Sequence, residues 1–175
     1  MQETNKRALF ESLVVPHLAA SYNLARWLTG SDHDAEDVVQ EAYLRAYRFF
    51  EGFHGADGRS WILAIVRNAC YTFVRQNRRK LVAIDDEVAE LRDGRPTPEA
   101  LRLADVDRML LREAIQALPE EFREAIILRE LEGLSYKEIG AITGVPIGTV
   151  MSRLARARER LERALAGRVS RGGAA

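Results

Sequence analysis

Ser135-Tyr-Lys-Glu-Ile-Gly-Ala-Ile-Thr-Gly-Val-Pro-Ile-Gly-Thr-Val150, continued by Met-Ser-Arg-Leu-Ala-Arg-Ala-Arg158, is the stretch that decides the architecture. Ser135 with Glu138 three residues later is a capping box, so a helix starts there. Thr143-Gly-Val-Pro146 ends it after about Ile142, because proline lacks a donor and restricts the residue before it. A second helix then runs from Ile147 to about Leu165. A short helix, a glycine-containing turn and a longer helix form a helix-turn-helix. The second helix divides by face: Val150, Leu154, Ala157, Leu161 and Leu165 make an apolar stripe. Thr149, Ser152, Arg153, Arg156 and Arg160 follow the same spacing on another face. Hydroxyls and early arginines there suit base edges and phosphates of a major groove, and later arginines suit backbone phosphate.

Working upstream, Glu120 to Leu131 and Val106 to Ala117 read as helices, the first closed by Gly133 and the second ended before Pro119. Ala35, Val38, Val39, Ala42, Ala46 and Phe49 recur at the helical period, and Ser60 can cap a helix running to about Arg79. Sustained period-two alternation between hairpin turns is absent. Asp85 to Pro98 carries acids, Gly94, Pro96 and Pro98, which reads as a linker with a short turn around Glu87 to Leu91. Eleven of the thirteen aromatic residues lie at or before Phe73, so the two halves differ in composition. The expected fold is all-α. Two small helical domains (1–80 and 105–167) are joined by a flexible acidic linker (81–104), the second domain is the helix-turn-helix, and a frayed tail follows (168–175).

The 175 residues are 47% hydrophobic and 30% charged, a normal globular composition. The net charge is zero, but it is segregated. Gly30 to Glu41 holds five acids and no base. Arg59 to Lys80 holds six bases and no acid. Leu81 to Asp107 has a net of −5, and Ile147 to Arg171 a net of +5. Two basic blocks separated by acidic ones imply two polyanion-facing surfaces and a surface of opposite sign. Cys70 is the sole cysteine, which excludes an internal disulfide and a cysteine-rich zinc site. The N-terminus lacks a secretory apolar core, and Trp61 to Val66 falls far short of the ~20 residues of a membrane helix. A cytoplasmic protein without membrane insertion, metal or cofactor is expected.

Asp37, Gln40 and Glu41 share one helix face, turned away from the apolar stripe. Such a patch suits a protein partner carrying arginines, and equally a solvated face. Phe49, Phe50, Phe53 and Trp61 stand beside the basic helix ending Arg75 to Lys80, and aromatic faces next to positive charge suit unstacked bases. Trp61, Ile65 and Phe73 read better as core. Asn68 and the glycine-containing loop from Gly52 to Gly58 are the better polar readers.

Three segments in order resemble the extracytoplasmic-function subfamily of bacterial sigma factors. Asp34-Ala-Glu-Asp-Val-Val-Gln-Glu-Ala-Tyr-Leu-Arg-Ala-Tyr47 resembles the family's polymerase-binding helix. Phe53 through Trp61-Ile-Leu-Ala-Ile-Val-Arg-Asn68 and on to Arg79 resembles its promoter-opening segment. Leu118-Pro-Glu-Glu-Phe-Arg-Glu-Ala, Gly133-Leu-Ser-Tyr-Lys-Glu-Ile-Gly140 and Gly148-Thr-Val-Met-Ser-Arg-Leu-Ala-Arg-Ala-Arg158 resemble its upstream-element reader. The resemblance implies that Asp37, Gln40 and Glu41 contact a coiled coil of the largest polymerase subunit. It implies that Phe53, His54, Arg59, Asn68, Arg75, Arg78 and Arg79 meet the single-stranded −10 element. Thr149, Met151, Ser152, Arg153, Ala155, Arg156 and Arg160 would read the duplex −35 element. It also implies an anti-sigma partner. The loop between Phe53 and Trp61 is shorter than in the best-known members. Met151 and Ala155 stand where these carry a basic and an aromatic residue, so neither element's sequence transfers. Two other readings stay open: a free-standing helix-turn-helix regulator, and a thiol hydrolase using Cys70 with His17, His33 or His54.

Overall fold

A computed structural model of the chain describes residues 2–83 and 103–172. The first part holds α1 (Glu3–Leu13), α2 (Leu18–Thr29), α3 (Asp32–Phe49) and α4 (Gly58–Ala83). The second holds α5 (Leu103–Gln116), α6 (Glu120–Ile126), α7 (Tyr136–Thr143) and α8 (Ile147–Gly172). Among the described residues there is no strand. The acidic linker and its expected turn at 87–91 lie outside the described residues.

Local chemistry sets most boundaries. Gly30 ends α2 in the left-handed region at φ 77°, a conformation without penalty for glycine. Ser31 then opens α3, its Oγ accepting from the Asp34 N–H. With only two residues between them, α2 and α3 pack together and against α4. Ala35, Ala42 and Ala46 of α3 are buried at that contact, where small side chains let the backbones approach. Leu24, Ile62, Leu63, Val66 and Cys70 fill the centre. At one end Phe10, Phe50, Phe53 and Trp61 form a chain of ring contacts, with centroids 5.3, 5.7 and 4.8 Å apart along it.

The start of α4 departs from expectation. The cap is Asp57, whose Oδ1 accepts from the Ser60 N–H at 3.0 Å, and the helix begins at Gly58. Ser60 is already inside the first turn, and its Oγ is buried without a partner among the described residues. The cause is tertiary. Gly58 sits against the end of α1, so close that a Cβ would lie 2.1 Å from the Leu13 carbonyl oxygen. Gly58→Ala is therefore expected to lose at least about 3 kcal/mol, the upper range for overpacking, because the obstacle is backbone. A chemical denaturation curve checks this, and a loss below about 1 kcal/mol would show that α1 can move aside.

In the second domain, α6 leaves α-geometry at Ile127 and passes through a π turn, Ile127–Leu131. There the Glu132 N–H reaches back to the Ile127 carbonyl at 3.1 Å. Ile126, Ile127 and Leu128 are all buried. The expected single helix to Leu131 is thus interrupted, while Gly133 (φ 65°) does end it.

The helix-turn-helix matches its reading. Ser135 Oγ accepts from the Glu138 N–H at 3.1 Å, and Glu138 Oε2 accepts from the Ser135 N–H at 2.7 Å. Gly144 is left-handed at φ 72°. Val150, Leu154 and Ala157 are buried, with Leu161 partly so. The tail does not fray where expected. α8 continues to Gly172, held where Arg168 Nη1 donates to Glu113 Oε2 of α5 at 2.8 Å. Residues 173–175 lie outside the described residues.

The two domains pack on each other, α2 against α6 and α4 against α7. At the centre of this contact Glu124 of α6 is 0% exposed. Its carboxylate accepts from Arg67 Nε at 3.0 and 2.9 Å and from the Tyr71 hydroxyl at 2.5 Å, both from α4.

Candidate polymerase and nucleic-acid interfaces

On α3, Val38, Val39 and Ala42 turn inward, which leaves Asp37, Gln40 and Glu41 exposed together. Asp37 has only an exposed helix-surface pair, His33 Nε2 at 3.4 Å. The same helix exposes Leu44 and Phe49, the latter 65% accessible. Leu44 continues the Asp37–Glu41 row by one turn, and an exposed apolar side chain beside a polar patch fits a protein contact surface. Phe49, read as the last member of the apolar stripe and as a neighbour of the bases, stands exposed at the end of α3.

Asn68 is exposed on α4 and lines a groove against α3, about 330 Å³ in volume, with Glu41, Arg45, Thr72 and Phe73. Phe53 is half-buried in the aromatic chain, while His54 is exposed in the loop. Trp61 and Ile65 pack on the core as read; Phe73 packs there too and walls the groove. Arg75 and Arg79 are exposed. Arg59 and Arg78 are engaged by the second domain. Arg59 Nη2 donates to the Glu132 carbonyl and lies 3.8 Å from its carboxylate, and Arg78 Nη2 lies 2.5 Å from Glu120 Oε1.

On α8, Met151, Ser152, Ala155 and Arg156 face outward. Thr149 is half-buried, its carbonyl accepting from Ser152 Oγ at 3.1 Å. Arg153 leans on its own domain, 3.8 Å from Glu121 Oε2 and 22% exposed. Arg160 lies over the Phe122 ring at 5.2 Å. Helical spacing had put both with the outward group, which the exposed Arg160 still joins. The acidic partner on α6 beside Arg153 is not local in sequence.

Cys70 is fully buried, and burial pushes its thiol up to about 12, so it stays protonated. A thiol hydrolase would need an accessible thiolate there. Among the described residues no cluster of three or more His, Cys, Asp or Glu could hold a metal ion. No helix among them is long and apolar enough to cross a membrane. Glu124 was missed: nothing in the spacing of α6 separates it from Glu120 and Glu121. Burial, with the Glu124 charge, pushes the Tyr71 hydroxyl's pKa up, so this group remains a donor to the carboxylate.

Residues 13–80 match Sigma-70 region 2, and residues 108–161 match Sigma-70 region 4. The ECF RNA polymerase sigma-E factor of Escherichia coli is 36% identical over 173 residues, covering 93% of this chain and 88% of that protein. The chain belongs to the extracytoplasmic-function sigma factors. SigE of Mycolicibacterium smegmatis is 36% identical over 158 residues, and this sigma factor spans 62% of that protein's length. Among solved structures, the sigma factor RpoE of Bartonella quintana, crystallised with the anti-sigma factor NepR, superposes with a TM-score of 0.73 at 32% identity. It covers 90% of this sigma factor and 96% of RpoE. CnrH, solved with the cytosolic domain of CnrY, shares the fold at a TM-score of 0.65 and 24% identity. The interval left between the two matched regions, 81–107, holds the acidic stretch.

Proposed function

We propose that this sigma factor binds core RNA polymerase, directs it to specific promoters and promotes DNA melting. One observation carries this. A single chain pairs an uncovered acidic face on α3 with a helix-turn-helix whose second helix turns Met151, Ser152, Ala155 and Arg156 outward. Asp37, Gln40 and Glu41 dock on the polymerase. The outward face of α8 reads the −35 element as duplex. The Asn68 groove, His54 and the basic end of α4 hold unpaired bases of the −10 element, which offsets the ~1.4 kcal/mol of stacking lost per base step on melting. The protein itself makes and breaks no bond and works beside the DNA in the cytoplasm. An anti-sigma protein is its regulatory partner, as NepR is in the Bartonella complex.

Run-off transcription with purified core polymerase on a pool of promoter fragments tests the assignment. Promoter-specific transcripts appear only when the protein is added. A free-standing regulator would instead bind duplex DNA tightly without polymerase. Arg156→Ala should weaken upstream-element binding by about 1–3 kcal/mol and relax selectivity at one base pair. An equal loss on every sequence would reassign Arg156 to phosphate.

A further inference from the structure

The face of α8 turned away from its core has two sides of different chemistry. Ile147, Met151 and Ala155 recur every four residues and form one row along the helix. Ser152 and Arg156, also four apart, form a second row beside it. Ile147 is 48% and Met151 53% exposed, whereas Val150 and Leu154 of the same helix are 1% and 0% exposed. Ala155, Ser152 and Arg156 are exposed as well. Two large apolar side chains are thus held out of the core together, at the start of the helix. Gly148 lies between the rows, and a Cβ there would meet nothing within 4 Å, so the surface is open at that point.

The chemistry of the apolar row limits what it can meet. In the major groove the base pairs display donors and acceptors, and the C5-methyl of thymine is the apolar group among them. Ile147 and Ala155 carry no side-chain donor or acceptor, and the thioether of Met151 is only a weak acceptor. Guanine, cytosine and adenine edges laid against this row would lose water and gain no hydrogen bond in exchange. A methyl group loses nothing by leaving water. The second row has the opposite character, since Ser152 and Arg156 offer donors to phosphate or to a purine edge. The N-terminal residues of a recognition helix are the ones that reach base edges, and Met151 is the fifth residue of α8.

We propose that Met151 reads a thymine of the −35 element through its C5-methyl group, with Ile147 and Ala155 on either side closing the contact to water. The proposal rests on the sigma-factor reading and names the base chemistry that this chain selects. Specificity is divided along the helix: the apolar row selects a methyl-bearing base, and the polar row holds the phosphates and hydrogen-bonding edges beside it.

The probe is a duplex promoter fragment returned by the run-off assay, bound by the full chain assembled with core polymerase. Each thymine of the upstream element is replaced in turn by uracil, which pairs identically and lacks only the methyl. One of these exchanges should weaken binding about fourfold, the worth of one buried methyl-sized group. The same exchange should make no difference to the Met151→Ala chain, whose short side chain leaves the methyl in water. Met151 is exposed, so this substitution leaves the buried Val150, Leu154 and Ala157 in place and does not put folding at stake. Binding that is insensitive to uracil at every upstream thymine would overturn the proposal. So would an equal uracil penalty in wild type and Met151→Ala, because the methyl would then be meeting another group. Should no fragment give promoter-specific transcription, the sigma-factor reading fails instead, and duplexes enriched from a random pool by the full chain alone go through the same exchange. Failure to enrich any duplex would overturn both.

Discussion

Asp37→Ala combined with Gln40→Ala is expected to abolish measurable binding to core RNA polymerase while leaving the fold intact. Both side chains are exposed on α3, and the buried face of that helix lies on Val38, Val39 and Ala42. Among the described residues the tie lost is the exposed His33–Asp37 contact, and surface pairs of this kind contribute under about 1 kcal/mol. At an interface the same groups count for much more. Central contacts that lose a charged or amide partner cost about 2 kcal/mol or more each. Together that is about 4 kcal/mol, close to a thousandfold in Kd. Fluorescence titration against labelled core enzyme measures it, with circular dichroism to show unchanged helicity. Unaltered affinity would remove α3 as the docking element and return Leu44 to being mere surface.

A second large effect is expected in the core of the helix-turn-helix. Leu154 is 0% exposed on the apolar stripe of α8, which packs on α6 and α7. Leu154→Ala removes buried methyl groups and leaves a cavity that the neighbouring helices cannot close, at a cost of about 3–5 kcal/mol. A domain of this size holds only about 4–10 kcal/mol in total. Most of the second domain's stability is therefore lost, and α8 no longer presents Met151, Ser152 and Ala155 as a set. Promoter selectivity at the −35 element should disappear in run-off assays. Polymerase docking through α3 should persist, because that helix has its own core around Leu24, Ile62 and Val66. Joint loss of both would mean that the two domains fold as one unit.

What could be read from the sequence followed the range of the forces involved. The capping box at Ser135, the left-handed Gly144 and Pro146 act within one or two helical turns, so the helix-turn-helix was legible residue by residue. The exposure of Asp37, Gln40 and Glu41 followed from helical period alone. The misread features depend on distant partners. The start of α4 moved to Gly58 because its first turn meets the Leu13 carbonyl, 45 positions away. The π turn at Ile127–Leu131 leaves no mark in a 3.6-residue pattern. Arg153 was grouped with the exposed residues by spacing and is half-buried beside Glu121. Glu124 became interior only when α4 supplied Arg67 and Tyr71.

One consequence follows from the build of α4. It is 26 residues long, about 39 Å at 1.5 Å per residue, and has no glycine or proline after Gly58 to bend it. Its first turn abuts α1 and the aromatic chain, its middle grips Glu124, and its far end carries Arg75, Arg78 and Arg79. α2 and α3 pack along it, with Ile62, Leu63, Val66 and Cys70 buried there, so the helix is fixed within the first domain and does not pivot about its own end. Arg67, Arg75, Arg78 and Arg79 therefore keep a constant spacing whatever the second domain does, and a polyanion laid along them meets a ruler rather than a hinge.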